Sequence, residues 1–279
     1  MNNECYNLKL TEYDNGLFDK SIDATYIIFL EGNTKRYENI ENQLKKYKPT
    51  KKVYILYNKG WKKCQKDKYI TNTAKDLVDC NIFILKHAQK KNYDNILILE
   101  DDFMFDNNIK NENIIQDIDN FLLKNINRSF SFYLGTLPFI FMPYSNTIHI
   151  GLLNIYTHSV IFSKKYREKI LKYNYKTIDC WDIFQNKFNM NKYYYNIPLS
   201  YQVIEDTENS KNWPVCDIIR KLYLKIAMLL SADKDPKLFF KIFYYISYIL
   251  TILLILIIVI ILYYIYKIFK NKLFRKNFF

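Results

Sequence analysis

The chain has 279 residues, of which 49% are hydrophobic and 25% are charged. This composition predicts a packed domain with room for an appendage, and it excludes a wholly disordered chain. The net charge of +13 favours anionic partners such as nucleotide phosphates or lipid headgroups, although a lysine-rich solvated surface is the simpler explanation.

The first half of the chain alternates between predicted strands and predicted helices. Short apolar runs predict the strands, and stretches with apolar residues at helical spacing predict the helices. In chain order, we predict a strand at 25–30, a helix at 31–47, a strand at 51–58, a helix at 75–91, a strand at 95–100 and a helix at 113–125.

The alternation continues after residue 125. We predict a strand within 129–136, another strand from residue 157, and a helix that follows an N-cap at Ser163. Strands that alternate with helices indicate an α/β domain with a mostly parallel central sheet. In such sheets, ligands bind at the carboxyl ends of the strands.

An uncharged apolar run, IFYYISYILTILLILIIVIILYYIY, occupies residues 242–266. It is long enough to span a bilayer, and its terminal tyrosines and flanking lysines are typical of membrane interfaces. A buried core helix is the alternative, but only a short basic tail at 267–279 follows to cover it. We therefore predict a single transmembrane helix.

The segments around this run suggest how the chain is organised. The N-terminal extension 1–23 has no apolar core of a signal peptide, so we expect a tail-anchored protein whose domain lies in the cytosol. Segment 214–232 predicts an amphipathic helix, either in the membrane interface or packed on the domain. The flanking charges are too symmetric to predict an orientation.

The cysteine pattern predicts reduced thiols in a cytosol-like compartment. An odd count without paired spacing argues against a disulfide framework and against a zinc site. The cysteines are Cys5, Cys64, Cys80, Cys180 and Cys216.

The stretch ILILEDD, residues 96–102, places three carboxylates directly after a predicted buried strand. Burying neighbouring carboxylates is unfavourable unless something compensates their charge. Mg²⁺ and Mn²⁺ prefer oxygen ligands and would compensate it. The alternative is an exposed acidic turn paired with lysines. No glycine-rich phosphate loop, serine elbow or HExxH motif is present.

Four stretches of the chain resemble glycosyltransferase family 25, the lipooligosaccharide and collagen galactosyltransferases, in the form found in large DNA viruses. They lie within residues 24–213 and read YIIFLEGNTKRYENIENQL, CNIFILKHAQKKNYDNILILEDDFMF, THSVIFSKKYREKIL and IDCWDIFQ followed by YYYNIPLSYQVIEDTENSKNW. The chain departs from the family at Phe83-Ile84, where members often carry a Ser-His pair, and at Phe29, where an asparagine is usual.

The resemblance implies a GT-A-like domain, a nucleoside-diphosphate sugar donor, UDP-linked in the first instance, and a Mn²⁺ or Mg²⁺ ion. By this similarity Glu100, Asp101 and Asp102 form the metal and diphosphate site, with Asp101 and Asp102 preferred as metal ligands. Arg36 matches the family's arginine and either meets the donor diphosphate or faces solvent. Gln202, assigned to donor binding, and Ser210 are matched to the family by position alone.

Four further residues are candidates on chemical grounds. His158 is an acceptable Mn²⁺ ligand, although a lone histidine is more often structural. Asp179 and Asp182 would share one face of a helix, and either could act as a general base, with Asp182 preferred. Capping a helix is the alternative role for Asp179. Trp181 could stack on a sugar or pack in the core.

Two functional interpretations follow. The first is a membrane-anchored, metal-dependent glycosyltransferase that moves a sugar to a glycan or protein hydroxyl, inverting the anomeric centre, with no nucleic acid among its partners. The second is an inactive domain of the same fold that serves as a membrane-tethered binding or scaffold protein, and the changed Ser-His position is the reason to keep it. A metal-dependent phosphohydrolase is weaker, because no further set of catalytic carboxylates is evident.

Overall fold

The computed structural model describes residues 3–188, 191–204 and 217–276. The strands are β1 Tyr6–Glu12, β2 Ala24–Leu30, β3 Lys52–Asn58, β4 Asn95–Glu100, β5 Phe103–Phe105, β6 Ser131–Pro143, β7 Ile148–Ser163, β8 Lys192–Tyr195 and β9 Ser200–Gln202. The helices are α1 Thr34–Tyr47, α2 Thr73–Lys90, α3 Glu112–Lys124, α4 Lys164–Lys172, α5 Trp181–Phe188, α6 Asp217–Leu229 and α7 Lys237–Lys276.

Seven strands form one central sheet in the order β1-β3-β2-β4-β7-β6-β8. Strands β3, β2 and β4 are parallel to one another. Strand β7 is antiparallel to β4, β6 and β8, so β6 and β8 run in the direction of β4. The predicted α/β domain with a mostly parallel sheet is therefore confirmed.

Strand β4 is apolar on both sides because helices cover both faces of the sheet. Leu97 and Leu99 pack into the cluster that holds the buried residues of α1 and α3. Ile96 and Ile98 point to the opposite cluster, which holds those of α2 and α4. A continuous apolar strand is the pattern expected where both faces are buried.

The helices that flank the sheet begin at polar caps. The side chain of Asn33 accepts a hydrogen bond from the backbone N–H of Arg36 and starts α1. The side chain of Ser163 accepts one from the backbone N–H of Tyr166 and starts α4, which confirms the predicted cap. The cap at Asn33 also fixes where Arg36 lies in the first turn of α1.

The N-terminal region belongs to the packed domain rather than extending from it. Strand β1 pairs antiparallel with β3 along its whole length, and Phe18 and Ile22 are fully buried in the core. The domain therefore begins before the boundary predicted at residue 24. The sequence hides this strand because β1 lies at a sheet edge and most of its side chains are exposed.

The prediction that all cysteines are reduced is wrong for one pair. Cys5 and Cys64 form a disulfide across 59 residues of sequence. Pairing of β1 with β3 brings Cys5 beside the loop that follows β3, which a count of cysteines does not reveal. Because disulfides persist in oxidising compartments, the cysteine pattern no longer supports a cytosolic domain.

The disulfide is expected to stabilise the folded domain by restricting the unfolded chain. We expect Cys64→Ser to lower the free energy of unfolding by roughly 2–4 kcal/mol. Chemical denaturation of the full-length protein in detergent measures this. Cys180→Ser is the control, because Cys180 is a free cysteine. If a reducing agent left the stability of the native protein unchanged, the disulfide would not form in solution.

The two C-terminal helices pack onto the domain before the chain leaves it. In α6, Leu224 and Ala227 are buried, and Tyr223 Oη lies 2.7 Å from Tyr156 Oη of β7. Of the two places considered for segment 214–232, the described part thus packs on the domain. The boundary at residue 213 and the start of that segment lie outside the described residues.

Helix α7 is longer than the predicted span 242–266, and its two parts differ in environment. Its first turns bury a stripe of side chains against the domain, and this stripe comprises Phe239, Phe240, Tyr244, Ser247 and Thr251. From Ile252 to Lys270 nearly every residue is exposed. The stretch Lys237–Lys270 is long and apolar enough to cross a membrane.

Candidate functional site

The three carboxylates of ILILEDD lie at the carboxyl edge of the sheet, as the sequence predicts. Glu100 ends β4, and Asp101 and Asp102 form the turn that leads into β5. They open onto a cavity of about 370 Å³. The cavity is lined by Ile28, Leu30, Asn33, Arg36, Asn58, Thr73, Asp76, Leu77, Cys80, Glu100, Asp101, Asp102 and Gln202. It thus opens where β2, β3 and β4 all end, which is the usual ligand position in such sheets.

Arg36 compensates the charge of the two aspartates. Its Nη1 lies 2.5 Å from Asp101 Oδ1 and 2.9 Å from Asp102 Oδ2. Although burial disfavours the cation, Asp102 and Asp101 together raise the pKa of Arg36. Arg36 therefore supplies part of the positive charge that was expected from a metal ion.

Asp101 is the more firmly held of the pair. Its Oδ2 accepts a hydrogen bond of 3.2 Å from the backbone N–H of Leu30 at the end of β2. Burial raises the pKa of Asp101, and the charge of Arg36 opposes that shift. With both oxygens engaged by the protein, Asp101 serves chiefly to position Arg36 and the turn.

Asp102 keeps one oxygen available. Gln202 Nε2 donates a 3.0 Å hydrogen bond to Asp102 Oδ2, and the same oxygen pairs with Arg36. Asp102 Oδ1 and Gln202 Oε1 are buried and have no hydrogen-bond partner among the described residues. Strand β9 places Gln202 opposite Phe103 of β5, so the small second sheet sets this arrangement.

Asn39 of α1 fixes the turn that carries the aspartates. Its Nδ2 donates to the carbonyl oxygens of Asp101, at 3.3 Å, and Phe103, at 2.9 Å. One side chain thereby satisfies two backbone acceptors in a turn that no helix or sheet ladder completes. This role could not be predicted from the sequence, because an asparagine inside a helix has no distinctive pattern.

Glu100 lies among other carboxylates. Burial, followed by the charges of Asp102, Asp182 and Asp101, raises its pKa well above the ordinary value. A glutamic acid that keeps its proton can donate a hydrogen bond to a ligand in the cavity.

Asp182, the preferred general base, lies close enough for its charge to act on Glu100. It accepts a hydrogen bond from Thr157 Oγ1 of β7. Burial raises the pKa of Asp182, although the hydrogen bond from Thr157 acts in the opposite direction. The structure therefore brings Asp182 into the same electrostatic cluster as the carboxylates at the end of β4.

His158 is fully buried beside this cluster. Burial lowers its pKa to about 4, although the charge of Asp102 acts to raise it, so the ring is neutral near pH 7. The backbone of Ser200 also acts on the ring and raises its pKa, but neither ring nitrogen makes a well-aligned hydrogen bond within the described residues. A buried imidazole without a well-aligned hydrogen bond is unusual in a purely structural role.

Two neighbours confine the His158 ring. A Cβ on Gly135 of β6 would collide with His158 Nε2 and with the carbonyl oxygen of Ser200, so only glycine permits this close approach. The ring of Phe240, in the first turn of α7, lies edge-on with its centroid 5.6 Å away. The apolar C-terminal helix thus forms one wall of the histidine pocket.

The unsatisfied atoms fit a divalent ion only in part. Within the described ranges, no group of three or more His, Cys, Asp or Glu side chains could hold a metal. Asp102 Oδ1 is nevertheless a buried acceptor without a partner among the described residues, and the neutral ring of His158 has one acceptor nitrogen. Mg²⁺ and Mn²⁺ sites often use one or two protein ligands and complete the shell with water and substrate phosphates.

Asp179 does not belong to the site. Helix α5 begins only at Trp181, so Asp179 and Asp182 do not share a helical face as predicted. The Asp179 side chain is 84% exposed and pairs with Lys75 at 3.2 Å. Trp181 is buried against Phe162, which makes it a core residue. Ser210 lies outside the described residues.

A backbone irregularity in β7 accompanies the site. Tyr156 has a φ of 67°, in the left-handed region that large side chains seldom adopt. It is buried beneath α6 and directly precedes Thr157 and His158. Such strain is often concentrated at functional sites, and no sequence pattern indicated it.

A second, larger cavity of about 540 Å³ lies beside the first. Its buried charges are already paired with protein groups. Lys66 contacts Asp76, Asn58 and Tyr6, and Asp79 accepts hydrogen bonds from Tyr6 and Tyr69. The smaller cavity, where Asp102 Oδ1 has no partner among the described residues, is therefore the better candidate for a ligand site.

Comparisons with known proteins leave the function to be argued from this geometry. No family model matches the chain, and no curated protein matches its sequence. A solved structure of a glycosyltransferase involved in the glycosylation of the major capsid of PBCV-1 is similar at 12% identity and a TM-score of 0.38. The alignment covers 73% of this chain and 98% of that one. A likeness this distant does not establish the resemblance to family 25.

Proposed function

We propose that this chain is a membrane-anchored glycosyltransferase that takes its sugar from a nucleoside-diphosphate donor. The observation that carries the proposal is the set of buried acceptors without partners at the carboxyl edge of the sheet. These are Asp102 Oδ1 and the acceptor nitrogen of the neutral His158 ring, next to the point where Arg36 pairs with Asp101 and Asp102. UDP-linked sugars are the first donors to test.

Asp102 and His158 would hold a Mn²⁺ or Mg²⁺ ion, and the donor diphosphate and water would complete its shell. When bound, such an ion neutralises charge on the diphosphate leaving group. Arg36 lies between the aspartates and the cavity and supplies a second positive charge for the same group. Gln202 holds Asp102 through its amide and keeps the carboxylate oriented.

Asp182 would accept the proton of the acceptor hydroxyl in an inverting transfer. Its raised pKa makes it a stronger base than an exposed aspartate. The hydrogen bond from Thr157 orients the carboxylate, as a general base needs. The acceptor would be a glycan or protein hydroxyl near a membrane, because α7 offers an anchor close to the site.

One observation supports the second interpretation, an inactive binding or scaffold domain. Arg36 already neutralises much of the charge of Asp101 and Asp102, and the described residues contain no three-ligand metal group. A site that needs no metal to be stable could persist after activity is lost. Measuring donor turnover separates the two interpretations.

The experiment uses the full-length protein in detergent, because α7 forms part of the domain core. Release of free nucleotide is measured with a panel of nucleoside-diphosphate sugars, with Mn²⁺ and with EDTA. We expect metal-dependent release with one donor, and faster release when a suitable acceptor is added. Failure of every donor to turn over or to bind would favour the scaffold interpretation.

A further inference from the structure

Helix α7 runs along the hairpin formed by β6 and β7 before it leaves the domain. Phe139 contacts Phe243 with ring centroids 5.9 Å apart, and Phe141 contacts Tyr248 at 4.8 Å. Farther along α7, the backbone N–H of Phe141 donates a 3.2 Å hydrogen bond to Thr251 Oγ1. The hairpin and residues 243–251 of α7 thus lie side by side.

If the membrane began beyond Thr251, the uncharged part of α7 that remains would be too short to cross it. Lys267 follows the uncharged run, and charged residues favour the interface. As a helix, residues 252–266 span about 22 Å, whereas the hydrocarbon core of a bilayer is about 30 Å thick. The whole uncharged run 242–266 spans about 38 Å, which is sufficient. The missing length therefore comes from the part of α7 that lies beside the hairpin.

The part of the hairpin around its turn is exposed but carries no charge. Residues 139–153 contain no Asp, Glu, Lys or Arg, although residues 142–146, 152 and 153 are exposed. Near the contact with α7, Met142, Leu152 and Leu153 are 51%, 39% and 45% exposed. Exposed apolar side chains beside a membrane helix are expected to be covered by lipid.

We propose that the β6–β7 hairpin is seated in the membrane interface, with Met142, Leu152 and Leu153 in contact with lipid. The inference rests on the proposed membrane anchoring of α7. It means that the bilayer holds the domain in one orientation, rather than leaving it on a flexible tether. Phe240 beside His158 and Thr251 beside Phe141 are about 16 Å apart along the helix, so the candidate site lies close to the membrane surface.

Site-specific crosslinking to lipid tests this arrangement. Benzoylphenylalanine is introduced in place of Leu153, Leu256 or Leu10 in the full chain, which is then reconstituted in vesicles that contain a fluorescent lipid. Leu10 is the matched control, because it is also 45% exposed and lies on β1 at the far edge of the sheet. Leu256 reports on the proposed span itself. Leu152 serves as a second hairpin position, and melting curves verify that each variant folds.

We expect light-induced lipid labelling at Leu153 and Leu152 to be several-fold above labelling at Leu10 and similar to labelling at Leu256. Labelling at Leu256, with both hairpin positions at the level of Leu10, would overturn the inference and leave the anchoring intact. Labelling at none of these positions would overturn the anchoring and the inference together. The nucleotide-release assay is independent of both results.

Discussion

Asp102→Asn is expected to reduce donor turnover by on the order of 10²–10³, with little effect on folding. Asparagine retains the shape of the side chain but removes the negative charge that Asp102 Oδ1 offers to a metal ion. Gln202 and Arg36 contact Asp102 Oδ2, where the amide oxygen of asparagine can still accept their hydrogen bonds, and Arg36 keeps its ion pair with Asp101. The comparison is the initial rate of nucleotide release for native and variant protein at saturating Mn²⁺.

Asp14→Asn is the matched control for that substitution. Asp14 is exposed and follows β1, whose last residue, Glu12, pairs with Lys52 at the start of β3. Asp14 therefore lies at the opposite edge of the sheet from the cavity. The rate of nucleotide release by Asp14→Asn is expected to match the native rate. Equal rates for native protein and Asp102→Asn would remove Asp102 from the proposed mechanism.

Arg36→Met is expected to destabilise the folded protein by about 3–5 kcal/mol, because it leaves two buried carboxylates uncompensated. Methionine keeps most of the length of the side chain and removes only its charge and hydrogen bonds. Arg36 and the two aspartates are mostly buried, with side-chain exposures of 18%, 10% and 8%, so solvent screens the loss only weakly. Chemical denaturation in detergent measures the change.

A metal ion should partly rescue this variant if the proposed site exists. Once Arg36 is absent, Mn²⁺ is the remaining source of positive charge near Asp101 and Asp102, so it should stabilise Arg36→Met more than the native protein. Lys35→Met is the control on the neighbouring, exposed side chain. If Mn²⁺ stabilised neither Arg36→Met nor the native protein, the metal part of the account would fail.

The sequence was sufficient where a physical pattern is local. Strand β4 and the helices around it follow from apolar periodicity, and the cap at Ser163 follows from its position before a helical stretch. Asp101 and Asp102 were predicted at the carboxyl edge of the sheet for the same reason, because they directly follow β4 in the sequence. A strand that is buried on both faces must end in solvent or in a cavity, and three acidic residues mark that end.

The sequence was insufficient where the determining contact is distant along the chain. Gln202 reaches Asp102 only because β9 pairs with β5, and Cys5 reaches Cys64 only because β1 pairs with β3. Such long-range pairings have no signature in the spacing of residues. The prediction that Asp179 and Asp182 share a helical face was wrong for a local reason. Helix α5 begins at Trp181, two residues after Asp179.

The apolar run near the C-terminus was identified from its composition, but its packing against the domain was not. Composition distinguishes an apolar helix from a polar one, yet it does not reveal which of its side chains pack on the domain. Phe240 lies against His158, and Thr251 binds the backbone of Phe141. Helix α7 therefore contacts both the candidate site and the domain core, and a truncated domain without α7 would lose part of that core.

Equilibrium binding of UDP to the full-length protein tests the central claim most directly. Isothermal titration calorimetry in detergent compares binding in Mn²⁺ and in EDTA, for native protein, Asp102→Asn and Asp14→Asn. We predict saturable binding by the native protein and by Asp14→Asn in Mn²⁺. Binding should be weaker by at least about ten-fold in EDTA and in Asp102→Asn. Binding of UDP that is equally tight in Asp102→Asn, or no binding of any nucleoside diphosphate, would contradict the account.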